Sequence, residues 1–190
     1  MKKRSAQVTP LKTANIYQIK VTLKWSNPPI WRRLQLRGDT KLGQLHHILQ
    51  ITMGWWDEHL HAFEANGISY GEPDPDIPSD LRNERNVRLD KIAQEGDVIK
   101  YEYDFGDGWM HELKIEEVLD PEPGTHYPRC IAGARACPPE DCGGVPGYER
   151  MLAILANPKD EEYQDIREWL GEEFDPEAFD LAAVNEELGA

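Results

Sequence analysis

Apolar and polar residues alternate over residues 16–25: Ile19, Val21, Leu23 and Trp25 fall on one side, and Gln18, Lys20, Thr22 and Lys24 on the other. A period of two predicts a half-buried strand. Asn27-Pro28-Pro29 ends it, because proline has no N–H for a ladder. Residues 30–37 resume the pattern, with Ile30, Leu34 and Leu36 sharing a face with Arg32 while Trp31, Arg33, Gln35 and Arg37 share the other. The period then lengthens. Leu42, Leu45, Leu49 and Met53 recur at helical spacing, behind Asp39 or Thr40 as cap and ahead of Gly54 as a left-handed stop. Short strands are predicted over 59–65 and 68–70, joined by Asn66-Gly67, and over 87–92. Residues 98–104 and 109–119 form a hairpin across the turn Phe105-Gly106-Asp107-Gly108. Residues 71–86 and 120–146 are rich in proline and turn residues and read as loops. Helical patterns follow over 148–156 and 160–170, and Asp175-Pro176 opens a last helix. Strands first and helices last predict an α+β fold: a small, mainly antiparallel sheet, one helix after the first hairpin, and a helical C-terminal third.

At 190 residues, 39% of them hydrophobic, the chain suits a single domain over residues 16–190, preceded by a disordered basic arm over 1–15. No apolar run is long enough to span a bilayer, and none follows Lys2, Lys3 and Arg4 to make a secretory leader. The expectation is a cytoplasmic protein with no membrane contact. Three cysteines, an odd number, then read as reduced thiols. The net charge of −14 argues against a general nucleic-acid binder, but the charge is uneven. Residues 1–41 hold ten Lys and Arg against one acid, whereas residues 138–190 hold fifteen acids against three bases. Two readings follow. The first hairpin presents Lys20, Lys24, Trp31, Arg33 and Arg37 to nucleic acid, or acidic helices cover that face and match its charge.

Three groups of residues have chemical potential. Cys130, Cys137 and Cys142, with His126, lie in one proline-rich loop and supply a Cys₃His set for zinc; the plainer account is thiols packed as small hydrophobes. His59 and His61, two apart on a strand, point to one side and with His111 or a carboxylate would grip a metal; the plainer account is a half-exposed strand face. Asp104, Asp107, His111 and Glu112 surround the hairpin turn at 105–108, where turn chemistry competes with acid–base chemistry. Glu140 and Asp141 read as caps or ion pairs within their loop. Phosphate-loop, dinucleotide, HExxH and GxSxG motifs are all absent.

Several strings taken together carry a resemblance: Pro29-Ile30-Trp31-Arg32-Arg33, Met53-Gly54-Trp55, His59-Leu60-His61-Ala62-Phe63, Tyr103-Asp104-Phe105-Gly106-Asp107-Gly108-Trp109-Met110-His111, and Cys137-Pro138-Pro139-Glu140-Asp141-Cys142-Gly143-Gly144. In order and spacing they resemble the plasmid pRiA4b ORF-3-like family, over about residues 16–188. The resemblance implies a small α+β fold associated with mobile elements. A resolvase-like label borne by some members does not transfer, since Ser5, Ser26, Ser69 and Ser79 have no arginine cluster evident around them. The expected function is a non-catalytic binding or accessory protein of plasmid or transposon biology, contacting nucleic acid or a protein partner. The alternatives are a metal-dependent enzyme using a His/carboxylate site, with candidates His59, His61, Asp104, Asp107 and His111, and an interaction module with a structural zinc loop. Should the cysteine loop approach the histidine strand, one larger site replaces two weak ones.

Overall fold

The computed structural model describes residues 14–73, 80–171 and 174–190. The elements in chain order are β1 (Ile16–Leu23), β2 (Trp31–Arg37), α1 (Leu42–Met53), β3 (His61–Ala65), β4 (Ile68–Gly71), β5 (Arg82–Asn83), α2 (Leu89–Ile92), β6 (Val98–Tyr103), β7 (Trp109–Leu119), β8 (Arg129–Ala134), α3 (Gly144–Leu155), α4 (Tyr163–Leu170) and α5 (Leu181–Leu188). Among the described residues, eight strands join one sheet in the order β5-β4-β3-β6-β7-β1-β2-β8. Neighbours run antiparallel except β4 and β5.

Alternation assigns the two faces. Ile19 sits between Leu34 and Ile115, Val21 between Arg32 and Leu113, and Tyr101 between Phe63 and His111. These residues are buried, and Leu42, Leu45, Leu49 and Met53 of α1 belong to the same core. Truncating one such leucine to alanine costs roughly 2–5 kcal/mol. The opposite face carries Lys20, and also Lys24, Arg33 and Lys100, which pair across strands with Glu112, Glu116 and Glu64. One face is therefore core and the other is wet, as antiparallel sheets allow.

Arg32 is a charge on the buried face. Its guanidinium donates to the Thr52 carbonyl near the end of α1 at 2.8 Å, and to the Trp31 and Ala134 carbonyls at 2.9 Å each. Its flat side lies 4.1 Å from the Phe179 ring. It thus ties α1, β2 and β8 together. Phe179 also explains Gly133: a Cβ there would sit 2.5 Å from the ring. On β8, the Asn185 side chain accepts from the Cys130 N–H and donates to the Cys130 carbonyl, both at 2.8 Å.

Several expectations need correction. The sheet is not small: it has eight strands, because β3, β4 and β5 extend one side and β8 pairs with β2 on the other. The C-terminal third is not wholly helical, since β8 runs through the proline-rich stretch. Residues 87–92 make a single bridge from Arg88 to Lys41 and then the short helix α2. The last helix starts at Leu181, where the Asp180 carboxylate accepts the Ala182 and Ala183 N–H groups. Residues 1–13 of the expected N-terminal arm, and residues 74–79 of the long loop, lie outside the described residues. Among the described residues no helix is long and apolar enough to cross a membrane.

Candidate active site

α1 stops at Gly54, whose left-handed backbone (φ 81°) is open to glycine without strain. The segment that follows, residues 55–61, lies against the loop 137–144. Trp55 is buried, stacks on Tyr103 with centroids 5.0 Å apart, and donates Nε1–H to the Pro138 carbonyl at 2.9 Å. The Tyr103 hydroxyl donates to Glu140 and accepts the Glu58 N–H at 3.1 Å. Burial, with the Glu140 carboxylate beside it, pushes the Tyr103 phenol well above its ordinary range. On the hairpin turn, the Asp107 carboxylate accepts the Gly143 N–H at 3.1 Å. A Cβ on Gly144 would lie 2.4 Å from the Asp107 carbonyl, so glycine is what lets the loop close on the turn.

The cysteine loop therefore does meet the histidine segment, but through its carboxylates. Asp141 Oδ1 lies 3.4 Å from His59 Nε2, and Asp104 Oδ1 lies 3.9 Å from His59 Nδ1. One donor atom from each of the three residues falls within 4.8 Å of the other two. No other three-ligand group of His, Cys, Asp or Glu forms among the described residues. His59 Nε2 is shielded from solvent and makes no hydrogen bond. Asp57, Asp104 and Asp141 all have left-handed backbones, with φ of 60°, 53° and 58°. Non-glycine residues in that region carry strain, and its clustering is a mark of functional sites.

Beside this group lies a pair of imidazoles. The rings of His46 and His61 stack 3.5 Å apart and within 6° of parallel. His46 is on α1, one turn before Gln50, and both reach the Tyr101 hydroxyl. Gln50 donates to that oxygen at 3.0 Å, which leaves its proton for His46 Nδ1 at 2.8 Å. The His46 proton is then on Nε2, directed at Asp57 Oδ1 at 2.6 Å. Burial, and then the neighbouring His61, lower the His46 pKa. His61 Nε2 meets the buried Glu84 carboxylate at 3.1 Å. His46, His59 and His61 line one pocket of about 520 Å³, together with Asp57 and Glu84.

Of the sequence candidates, His59 and Asp104 converge with Asp141, and His61 lines the same pocket. Asp107 serves the loop instead. His111 is fully buried against Trp55 and Tyr101; neither ring nitrogen makes a well-formed hydrogen bond, and burial lowers its pKa to about 4. His46, Asp57 and Glu84 were not among the candidates. A histidine and a glutamine one turn apart beside a leucine stripe were the available signal for the first.

Cys130, Cys137 and Cys142 form no three-ligand group with His126. Burial raises the pKa of all three thiols, that of Cys142 to about 12, so they stay protonated. Cys130 donates its S–H to the Ala132 carbonyl at 3.4 Å. On the basic hairpin, Lys24 pairs with Glu112 at 2.6 Å, Arg33 with Glu116 at 2.7 Å, and Arg37 with Asp39 at 2.9 Å. Lys20 and Arg33 lie over the Trp31 ring, 5.1 and 5.3 Å from its centroid. The matching acids come mainly from β7 of the same sheet, not from the C-terminal helices.

Comparison with known proteins agrees over nearly the whole chain. The family described as "Plasmid pRiA4b ORF-3-like protein" matches residues 15–183. The protein y4hQ of Sinorhizobium fredii (strain NBRC 101917 / NGR234), described as uncharacterised, is 35% identical over 175 residues, 90% of each chain. Among solved structures, the protein of unknown function MM3350 from Methanosarcina mazei Go1 is 38% identical, with a TM-score of 0.83 over 90% of this chain and 97% of its own.

Proposed function

Since the chain belongs to the plasmid pRiA4b ORF-3-like family, whose relatives named above carry no assigned activity, we propose a function from the site itself: a metal-dependent enzyme working at the His/carboxylate pocket. The observation that carries this reading is the convergence of His59, Asp104 and Asp141 beside that pocket. Three protein ligands leave coordination positions for water or substrate, the arrangement of catalytic rather than structural ions. One imidazole and two carboxylates suit a divalent ion such as Zn²⁺ or Mn²⁺. Such an ion would activate a bound water or polarise a substrate oxygen. His61, paired with Glu84, and His46, paired with Asp57, are the groups placed to move protons in the pocket.

The test is metal content, by elemental mass spectrometry, after dialysis against Zn²⁺ or Mn²⁺. About one ion per chain is expected. His59→Gln and Asp141→Asn should lose it, while Cys137→Ser should keep it. No uptake, or uptake untouched by both site variants, refutes the proposal.

A second reading keeps the chain as an accessory protein contacting nucleic acid through Lys20, Lys24, Trp31, Arg33 and Arg37. The Trp31 ring, with Lys20 and Arg33 both within reach of it, favours it. Against it, phosphate would have to displace carboxylates already paired with Lys24, Arg33 and Arg37.

A further inference from the structure

Among the described residues, no lysine or arginine lines the pocket at His59. Its carboxylates are more numerous than an ion and two histidines require. Asp57 faces His46 and Glu84 faces His61. Asp104 and Asp141 flank His59. Glu58 and Glu72 remain, exposed at the pocket, and no hydrogen bond or ion pair engages their carboxylates among the described residues. The same pocket exposes apolar surface. Leu60 is 68% and Phe105 49% exposed.

Exposed apolar side chains gathered at one place mark a binding surface. Their chemistry here is selective. A phosphate or carboxylate ligand would meet two free carboxylates and no lysine or arginine. An ammonium group would meet those carboxylates and the exposed Phe105 ring, a combination that attracts organic cations. We propose that the pocket takes a substrate bearing a positively charged amine next to an apolar group, with Glu58 and Glu72 drawing the amine and Leu60 and Phe105 holding the apolar part. This rests on the reading that the pocket is the working site.

The experiment titrates benzyltrimethylammonium, benzoate and phenyl phosphate into the full chain and follows the amide resonances of Leu60 and Phe105. It is run on metal-free and Zn²⁺-dialysed protein, with metal content measured on the same samples. In metal-free protein the ammonium probe should bind at least tenfold tighter than either anion, and the double variant Glu58→Gln, Glu72→Gln should lose that preference. Equal or tighter binding of benzoate or phenyl phosphate overturns the proposal, as does an unchanged preference in the double variant or no ammonium binding at millimolar concentration. A sample that takes up no metal yet prefers the ammonium probe removes the metal centre and leaves the cation site standing.

Discussion

Replacing His111 by methionine should make the protein more resistant to acid. The imidazole is 0% exposed, lies opposite Leu23 and Tyr101, and packs its edge against Trp55 with centroids 5.3 Å apart. Burial holds its pKa near 4, against 6.5 for a free histidine. The native state therefore keeps the ring neutral while the unfolded chain takes up a proton. As pH falls below 6.5 the unfolded state is favoured, and the loss stops once the native ring also protonates near pH 4. Proton linkage over that window gives a loss of about 1.4 kcal/mol by pH 5.5 and about 2.5 kcal/mol by pH 4.5. Methionine removes the titration and two buried nitrogens without well-formed hydrogen bonds, and fills similar space, so stability at pH 7 should change little or rise. Urea unfolding of both proteins at pH 7, 5.5 and 4.5, followed by tryptophan fluorescence, isolates this residue, because every other titrating group is common to the pair. The wild type should lose about 2.5 kcal/mol more than the variant by pH 4.5. Parallel pH curves would refute the reasoning, because the native histidine would then titrate as it does when unfolded.

Gly133→Ala places a methyl group 2.5 Å from the Phe179 ring and should cost roughly 1–3 kcal/mol, read as a lower urea midpoint with unchanged slope. Arg32→Met strands the Thr52 and Ala134 carbonyls and should cost about 2–4 kcal/mol; a variant as stable as wild type would show that the guanidinium is dispensable to the union of α1 and β8. Arg33→Ala, on the wet face, should change stability by less than about 1 kcal/mol despite its two bonds to Glu116. Neutralising Glu112 and Glu116 to glutamine frees Lys24 and Arg33 and should raise duplex-DNA binding at low salt, measured by fluorescence anisotropy; no change would remove the nucleic-acid reading of this face.

What the chain discloses on its own depends on how locally each feature is determined. β1 and β6, and β7 as far as Ile115, were legible because one face of each is buried, so alternation survives in the sequence. β8 was not: its residues, Arg-Cys-Ile-Ala-Gly-Ala, barely alternate and follow a run of prolines, and its status as a strand comes from pairing with β2, some hundred residues earlier. The start of α5 was misplaced because two aspartates compete for the role of cap, and packing of Phe179 on Arg32 leaves Asp180 to take it. At the site, His59 and Asp104 could be named from residue type and spacing. Asp141 looked like a loop residue because its partner lies across the tertiary fold. The loop 137–144 drew notice for its cysteines, yet in the folded chain it contributes Glu140 and Asp141, while its thiols stay protonated among apolar neighbours.

The paired bonds between Asn185 and Cys130 bear on how the protein behaves in concentrated solution. A sheet of eight strands has two rims, and a rim with free N–H and C=O groups templates the addition of another chain. At one rim β5 is only two residues long and offers little to copy. At the other, the longer β8 would be an invitation, and the Asn185 amide occupies Cys130 in the manner of a neighbouring strand. Resistance to stacking edge to edge thus rests in part on a single side-chain amide far along the chain from the strand it guards.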